Sequence, residues 1–171
     1  MKSKEQQEAE FRSFASAHRG NLRRQAYLLS GDWFEADDIV QKALAKAFAV
    51  WRRVDPVGAP AYVRKIVVNT YLSHRRLAWV RRERIGDDLP DLPADHPQEG
   101  VDERLAVVAA LDRLPPRQRA TLVLRYWEDL SIEDTAAAMG CTTGTVKSQC
   151  AKGLAKMRGL LAESESEPVR A

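Results

Sequence analysis

The chain has 171 residues, with 27 Lys and Arg against 24 Asp and Glu, a formal net charge of +3. That length allows one domain or two small ones, and so small a net charge does not by itself mark a nucleic-acid binder. No run approaches the roughly 18 apolar residues of a membrane span, and MKSKEQQEAE at the start has no apolar core for a secretory signal, so a cytoplasmic protein is expected.

The apolar spacing is helical along the whole chain, and no segment alternates with period two. Phe11, Phe14, Leu22 and Leu29 form the first helical stripe. Ser30-Gly31-Asp32 reads as a turn, with Asp32 and Glu35 placed to start the next helix. Ile39, Val40, Ala43, Leu44, Ala47, Phe48 and Trp51 then mark one broad apolar face. Asp55-Pro56-Val57-Gly58-Ala59 is a loop, and Pro60 suits the first position of a third helix. That helix is expected to bury Val63, Ile66, Val67 and Tyr62 and to run to about Arg76.

Charge is segregated beyond this point. Between Trp51 and Arg84 stand Arg52, Arg53, Arg64, Lys65, Arg75, Arg76, Arg81, Arg82 and Arg84 against only Asp55 and Glu83. Between Asp87 and Glu103 there are seven acids and no Lys or Arg, with Pro90, Pro93 and Pro97 among them. The pattern is a basic working surface followed by an acidic, Pro-rich, extended linker. With nothing acidic nearby in the sequence, Arg64, Lys65, Arg75 and Arg76 read as phosphate contacts.

Helical spacing returns with Val101, Leu105, Val108 and Leu111, and Pro115-Pro116 opens a further helix carrying Leu122, Val123 and Tyr126. The stretch Ser131 to Arg158 then reads as helix, turn, helix. Ser131 and Asp134 make a capping-box variant, Gly140 suits a left-handed turn, and Thr142 or Thr143 caps the second helix. At 100° per residue, Val146, Cys150, Leu154 and Met157 share one side, with Thr145, Ser148, Lys152 and Ala155 opposite. No acid lies between Thr142 and Arg158. A small, cationic outer face of this kind fits a helix that enters the DNA major groove. The tail ESESEPVRA reads as polar and disordered.

The expected fold is all-α: two small helical domains joined by the acidic linker. The boundaries are 8–82, linker 83–100, 101–162, and tail 163–171. Cys141 and Cys150 fit no common zinc spacing, and Cys150 falls on the dry helix face, so neither a metal nor a cofactor is expected. His18, His74 and His96 are scattered, and no nucleophile-base pair or phosphate-cradling loop is evident, so there is no catalytic case.

Both halves resemble the sigma-70 superfamily of bacterial transcription initiation factors, in the short extracytoplasmic-function (ECF) form that keeps only regions 2 and 4. Ala36-Asp37-Asp38-Ile39-Val40-Gln41-Lys42-Ala43 looks like region 2.2. Trp51 and the run Ala61 to Asn69, ending in Arg75-Arg76, look like regions 2.3 and 2.4. Leu111 to Arg119, Leu124-Arg125-Tyr126, Glu128 to Ser131 and Gly144 to Ser148 look like region 4. The wording around Leu28 to Asp32 and Val68-Asn69 is closest to the actinobacterial SigE-like subgroup. Lys42 stands where the family usually has Glu, and Ser73 where many members have Asp.

The resemblance implies a protein that binds core RNA polymerase and starts transcription at promoters of two elements. Asp37, Asp38, Gln41 and Lys42 would dock on the polymerase clamp helices. Trp51, Tyr62, Arg64, Lys65, Asn69, Arg75 and Arg76 would hold the melted −10 strand, with the loop Asp55 to Ala59. Thr145, Lys147, Ser148, Gln149 and Lys152 would read the −35 duplex. The free protein would be a monomer, with an anti-sigma factor as a further partner. Two competing readings are a dimeric operator-binding regulator, which leaves the first half unexplained, and a helical scaffold, which needs no segregated basic surface.

Overall fold

In the computed structural model, residues 1–85 and 103–166 are described, and all regular structure among them is helical. The expected linker falls almost wholly on residues 86–102, outside the described residues, as does the tail beyond Ser166.

Helix α1 spans Lys4–Ser30 and α2 spans Trp33–Ala49. Ser3 caps the start of α1: its Oγ accepts from Gln6 N at 3.2 Å, and the Gln6 side chain accepts from Ser3 N at 2.9 Å. This reciprocal pair satisfies two donors that a helix start otherwise leaves open. Gly31 ends α1 at φ 76°, a left-handed conformation that costs a residue with a Cβ. Asp32 then caps α2, its Oδ1 accepting from Phe34 N at 2.6 Å and Glu35 N at 3.3 Å.

A 3-10 turn at Trp51–Arg53 and the loop beyond it lead into α3, Ala59–Ile85. Val63, Val67, Val68 and Tyr71 are buried, while Tyr62, expected in the core, is 38% exposed. Tyr62 lies about 100° round the helix from Val63, away from the packed arc. The helix also outruns its expected end near Arg76. Leu77 to Ile85 contains neither Gly nor Pro to end the helix, although its large apolar side chains are not packed there: Leu77 and Trp79 are 57% and 60% exposed.

The second unit holds α4 (Glu103–Asp112), α5 (Pro116–Leu122), α6 (Ile132–Met139) and α7 (Thr143–Ser166). Between α5 and α6 the chain widens into a π turn, Val123–Trp127, closed by Glu128 N donating to Val123 O at 3.1 Å. The extra residue per turn shifts the apolar register, so Tyr126 is turned outward and is 60% exposed. Helix α7 continues to Ser166, into the expected tail, where Ser164 and Ser166 hydroxyls donate back to Leu161 O and Ala162 O.

The units are not separate cores. Leu22, Leu29, Val67, Leu111, Leu124 and Met139 belong to one contiguous buried cluster. Helix α1 packs on α2 and α3, and also meets α4 and α5, while α3 meets α5 and α6.

Candidate nucleic-acid and polymerase interfaces

The helix-turn-helix is built as its caps dictate. Ser131 Oγ accepts from Asp134 N at 2.9 Å, Gly140 turns the chain at φ 63°, and Thr142 Oγ1 accepts from Thr145 N at 3.1 Å. On α7, Val146 and Gly153 are buried, and Cys150, Leu154 and Met157 pack against the core. Gly153 lets α7 approach α5 closely: a Cβ would stand 3.1 Å from Leu122 Cδ1, so the leucine would have to shift by a few tenths of an ångström. Lys147, Ser148 and Lys152 are exposed on the far side, and Gln149 is half-buried. Thr145 is also half-buried, with its hydroxyl 3.0 Å from that of Thr142, so part of its hydrogen-bonding capacity is taken by the cap. Burial pushes the Cys150 thiol above its usual range, against the opposing influence of Arg125.

On α2, Ala36, Ile39, Val40, Ala43 and Ala47 face the core. Asp37, Asp38, Gln41 and Lys42 are all exposed, as the sequence indicated. The structure adds two features. Lys42 Nζ lies 2.9 Å from Asp38 Oδ2 and 3.2 Å from His74 Nε2, so this lysine folds onto its own surface. Arg23 of α1 donates to Asp37 Oδ1 at 2.6 Å while its guanidinium lies 4.3 Å from the Trp33 ring, which stacks on Tyr27 at 3.9 Å. The Arg23 hydrogen bond holds the Asp37 carboxyl below its usual range. A depressed carboxylate keeps this contact at neutral pH and loses it as pH falls through the folded value. In an NMR titration, Arg23→Ala is therefore expected to move the Asp37 midpoint upward; an unmoved midpoint would separate the two groups.

Phe34 was missed by the sequence reading. It is 89% exposed one helical turn before Asp38, on the same face as Gln41. The available signal was its position outside the apolar stripe that Ile39, Val40 and Ala43 define.

The candidate −10 residues divide into two groups. Tyr62, Lys65, Asn69 and Arg76 are exposed and fall within one stripe of α3. Arg64 and Arg75 lie on the opposite, inward arc and have acidic partners after all. Arg64 Nε is 2.9 Å from Glu128 Oε2, and Arg75 Nη2 is 3.3 Å from Glu35 Oε2 and 3.2 Å from Ser30 O. The premise that nothing acidic pairs them is thus corrected: their partners are distant in sequence and adjacent in space. Trp51 sits apart from both groups, in an aromatic cluster with Phe11 and Phe14 at 5.1 and 5.0 Å. Beside it, a cleft of about 500 Å³ opens between the first turns of α1 and the loop, lined by Phe14, Trp51, Arg52, Val54 and Pro56. At the tip of that loop Val57 is 89% exposed.

Among the described residues no group of three or more His, Cys, Asp or Glu is arranged to hold a metal ion, and no helix is long and apolar enough to cross a membrane.

Comparison with known proteins matches residues 14–81 to the family model Sigma-70 region 2 and residues 104–157 to Sigma-70, region 4. The chain is 36% identical over 154 residues to the RNA polymerase sigma-E factor of Streptomyces coelicolor, covering 87% of this chain and 84% of that protein. It is 35% identical to the ECF RNA polymerase sigma factor SigE of Mycolicibacterium smegmatis, covering 88% of this chain and 61% of that protein. Among solved structures it is similar to the sigma factor RpoE of Bartonella quintana, crystallised with the anti-sigma factor NepR. That match has a TM-score of 0.71 and 26% identity, covering 90% of this chain and 97% of the other. With regions 2 and 4 aligned in order on the two helical units, and relatives alike over most of its length, the chain belongs to the sigma-70 family, in its ECF branch.

Proposed function

We propose that this protein is a promoter-specificity subunit of bacterial RNA polymerase. It binds the core enzyme, recognises a −35 and a −10 element, and starts transcription of a particular set of genes. The observation that carries this is the pairing of a capped helix-turn-helix, whose outer face offers Ser148 and Lys152, with a second helical unit bearing a separate basic stripe and a polar docking face. A regulator that binds an operator alone has no use for the second unit.

Residues 8–82 form the unit for core docking and the −10 strand, and residues 101–162 the unit for the −35 duplex. The docking face comprises Asp37, Asp38, Gln41 and Lys42, extended by Phe34. Tyr62, Lys65, Asn69 and Arg76 line the path of the melted strand, and the cleft beside Trp51 has room for an unstacked base. Arg64 and Arg75 join this path only once their acidic partners release them. Strand opening is driven by binding energy and needs no catalytic group or cofactor. The protein works in the cytoplasm, where polymerase and promoter are, as a monomer until it meets the core. An anti-sigma factor is a natural further partner, given the company in which its Bartonella relative was crystallised.

The test is reconstitution. Purified core polymerase with this protein is expected to transcribe from a two-element promoter, while the free protein binds that promoter weakly. Tight operator binding by a homodimer without core association would overturn the proposal. Gln41→Ala and Phe34→Ala are each expected to weaken core binding by about 1 kcal/mol or more, as exposed anchors at a docking face do. Wild-type affinity in both variants, measured by titration against labelled core, would leave α2 a solvated face.

A further inference from the structure

Asp37 and Asp38 supply the negative charge of the candidate docking face on α2, and each already holds a cation of the same chain. Arg23 of α1 reaches Asp37 with its fork, Nε donating to Oδ1 at 2.6 Å and Nη2 to Oδ2 at 3.4 Å. The Trp33 ring, 4.3 Å away, braces the guanidinium. Lys42 stands one helical turn beyond Asp38, with Nζ 2.9 Å from Oδ2. Acid before base at this spacing is the favourable order on a helix.

The two cations are held in different ways. A planar guanidinium bound through its fork and stacked on a ring is pre-organised, whereas an ammonium is a point charge on a flexible stem. Asp38 and Lys42 are both half-exposed, so their pair alone is a loose one. What places Lys42 is α3. Its Nζ lies 3.2 Å from His74 Nε2, where a neutral imidazole with its proton on Nδ1 accepts. The ammonium is thus drawn between Asp38 and α3 instead of reaching into solvent. Phe34 and Gln41, on the same face, are exposed and uncharged.

A carboxylate on a docking face contributes by meeting a cation or a donor of the partner. Asp38 does so only by sharing or releasing Lys42, and the released ammonium then confronts the same partner cation, a like-charge contact that opposes docking. Over Arg23, Asp37, Asp38 and Lys42 the face carries no net charge, which leaves its attraction to Phe34 and Gln41. We infer that Lys42 is an attenuator of core affinity: it withholds the Asp38 carboxylate from the polymerase and so sets how strongly this protein competes for the core enzyme. It is a residue of the docking face whose loss improves docking.

This inference rests on the docking assignment of α2 above, and the experiment separates the two. The full chain, fluorescently labelled, is titrated against core polymerase at several salt concentrations. Lys42→Met is close to neutral in helix propensity, so the helix is kept. It is expected to tighten core binding about threefold to fivefold at low salt, the scale of one exposed ion pair. The gain is expected to shrink as salt rises, because exposed charges are screened. It is expected to vanish in an Asp38→Asn background, where no carboxylate remains to be released. Lys46→Met, which removes the same charge one turn further along α2, is expected to change affinity less than about 1.5-fold. Unchanged or weaker binding by Lys42→Met, with Gln41→Ala weakening it, overturns the inference and leaves the docking face standing. An equal gain from Lys46→Met, or a gain that survives Asp38→Asn, also overturns it, by making the effect one of net charge. Wild-type affinity in Lys42→Met, Gln41→Ala and Phe34→Ala together removes the docking assignment and the inference with it.

Discussion

Ser148→Ala and Lys152→Ala are each expected to weaken binding of the polymerase-bound protein to a −35 duplex by about 1–3 kcal/mol, roughly fivefold to 150-fold. Both side chains project from the exposed face of α7, one helical turn apart, while Val146 and Gly153 hold the opposite side in the core. Truncation therefore removes a contact without disturbing the fold. The loss is expected to depend on sequence, with relaxed preference at one or two −35 positions. Arg76→Ala, on the exposed stripe of α3, is expected to act differently: a uniform loss across promoters and a salt slope lower by roughly one. Affinities on a promoter library at several salt concentrations decide the matter. Equal losses on every −35 sequence for Ser148→Ala and Lys152→Ala would mean that they only position the helix, and that DNA shape supplies the specificity.

What the sequence made legible was local. The turn at Gly31, the caps at Asp32, Ser131 and Thr142, and the dry side of α7 all follow from chemistry within a few residues, and each is present. The capping box at Ser3 was equally readable, as Ser followed three residues later by Gln, but no apolar stripe begins there to draw attention to it. The π turn at Val123–Trp127 was not readable. Its register depends on tertiary packing and on Asp129 taking φ 52°, neither of which spacing reveals. The partners of Arg64 and Arg75 were missed because proximity was judged along the chain. Glu128 reaches Arg64 only after the second unit folds against the first. Burial of Arg119 was beyond reach for the same reason: arginine is almost never fully buried unless paired, and half its pairing comes from a carbonyl of α1.

Leu124→Ala is expected to lower unfolding stability by about 2–5 kcal/mol, the range for emptying a packed leucine site. Leu124 is fully buried within the π turn, and its carbonyl accepts from Leu130 N at 3.0 Å, so the residue anchors the segment that leads into α6. The cavity would lie in the contiguous cluster that also contains Leu29 and Met139. Collapse around it would shift α6 and with it the turn that aims α7. Because the cluster is shared by both units and includes Ile39, Val40 and Ala43 of α2, −35 binding and core docking are both expected to fall with the fraction folded. Leu124→Met, similar in volume, is expected to cost less than about 1.5 kcal/mol and to restore −35 binding. Urea unfolding, with the slope compared among the three proteins, gives the stability difference directly. A loss below about 1 kcal/mol for Leu124→Ala would mean that the π turn relaxes to fill the space, and that α6 is positioned instead by its own caps at Ser131 and Gly140.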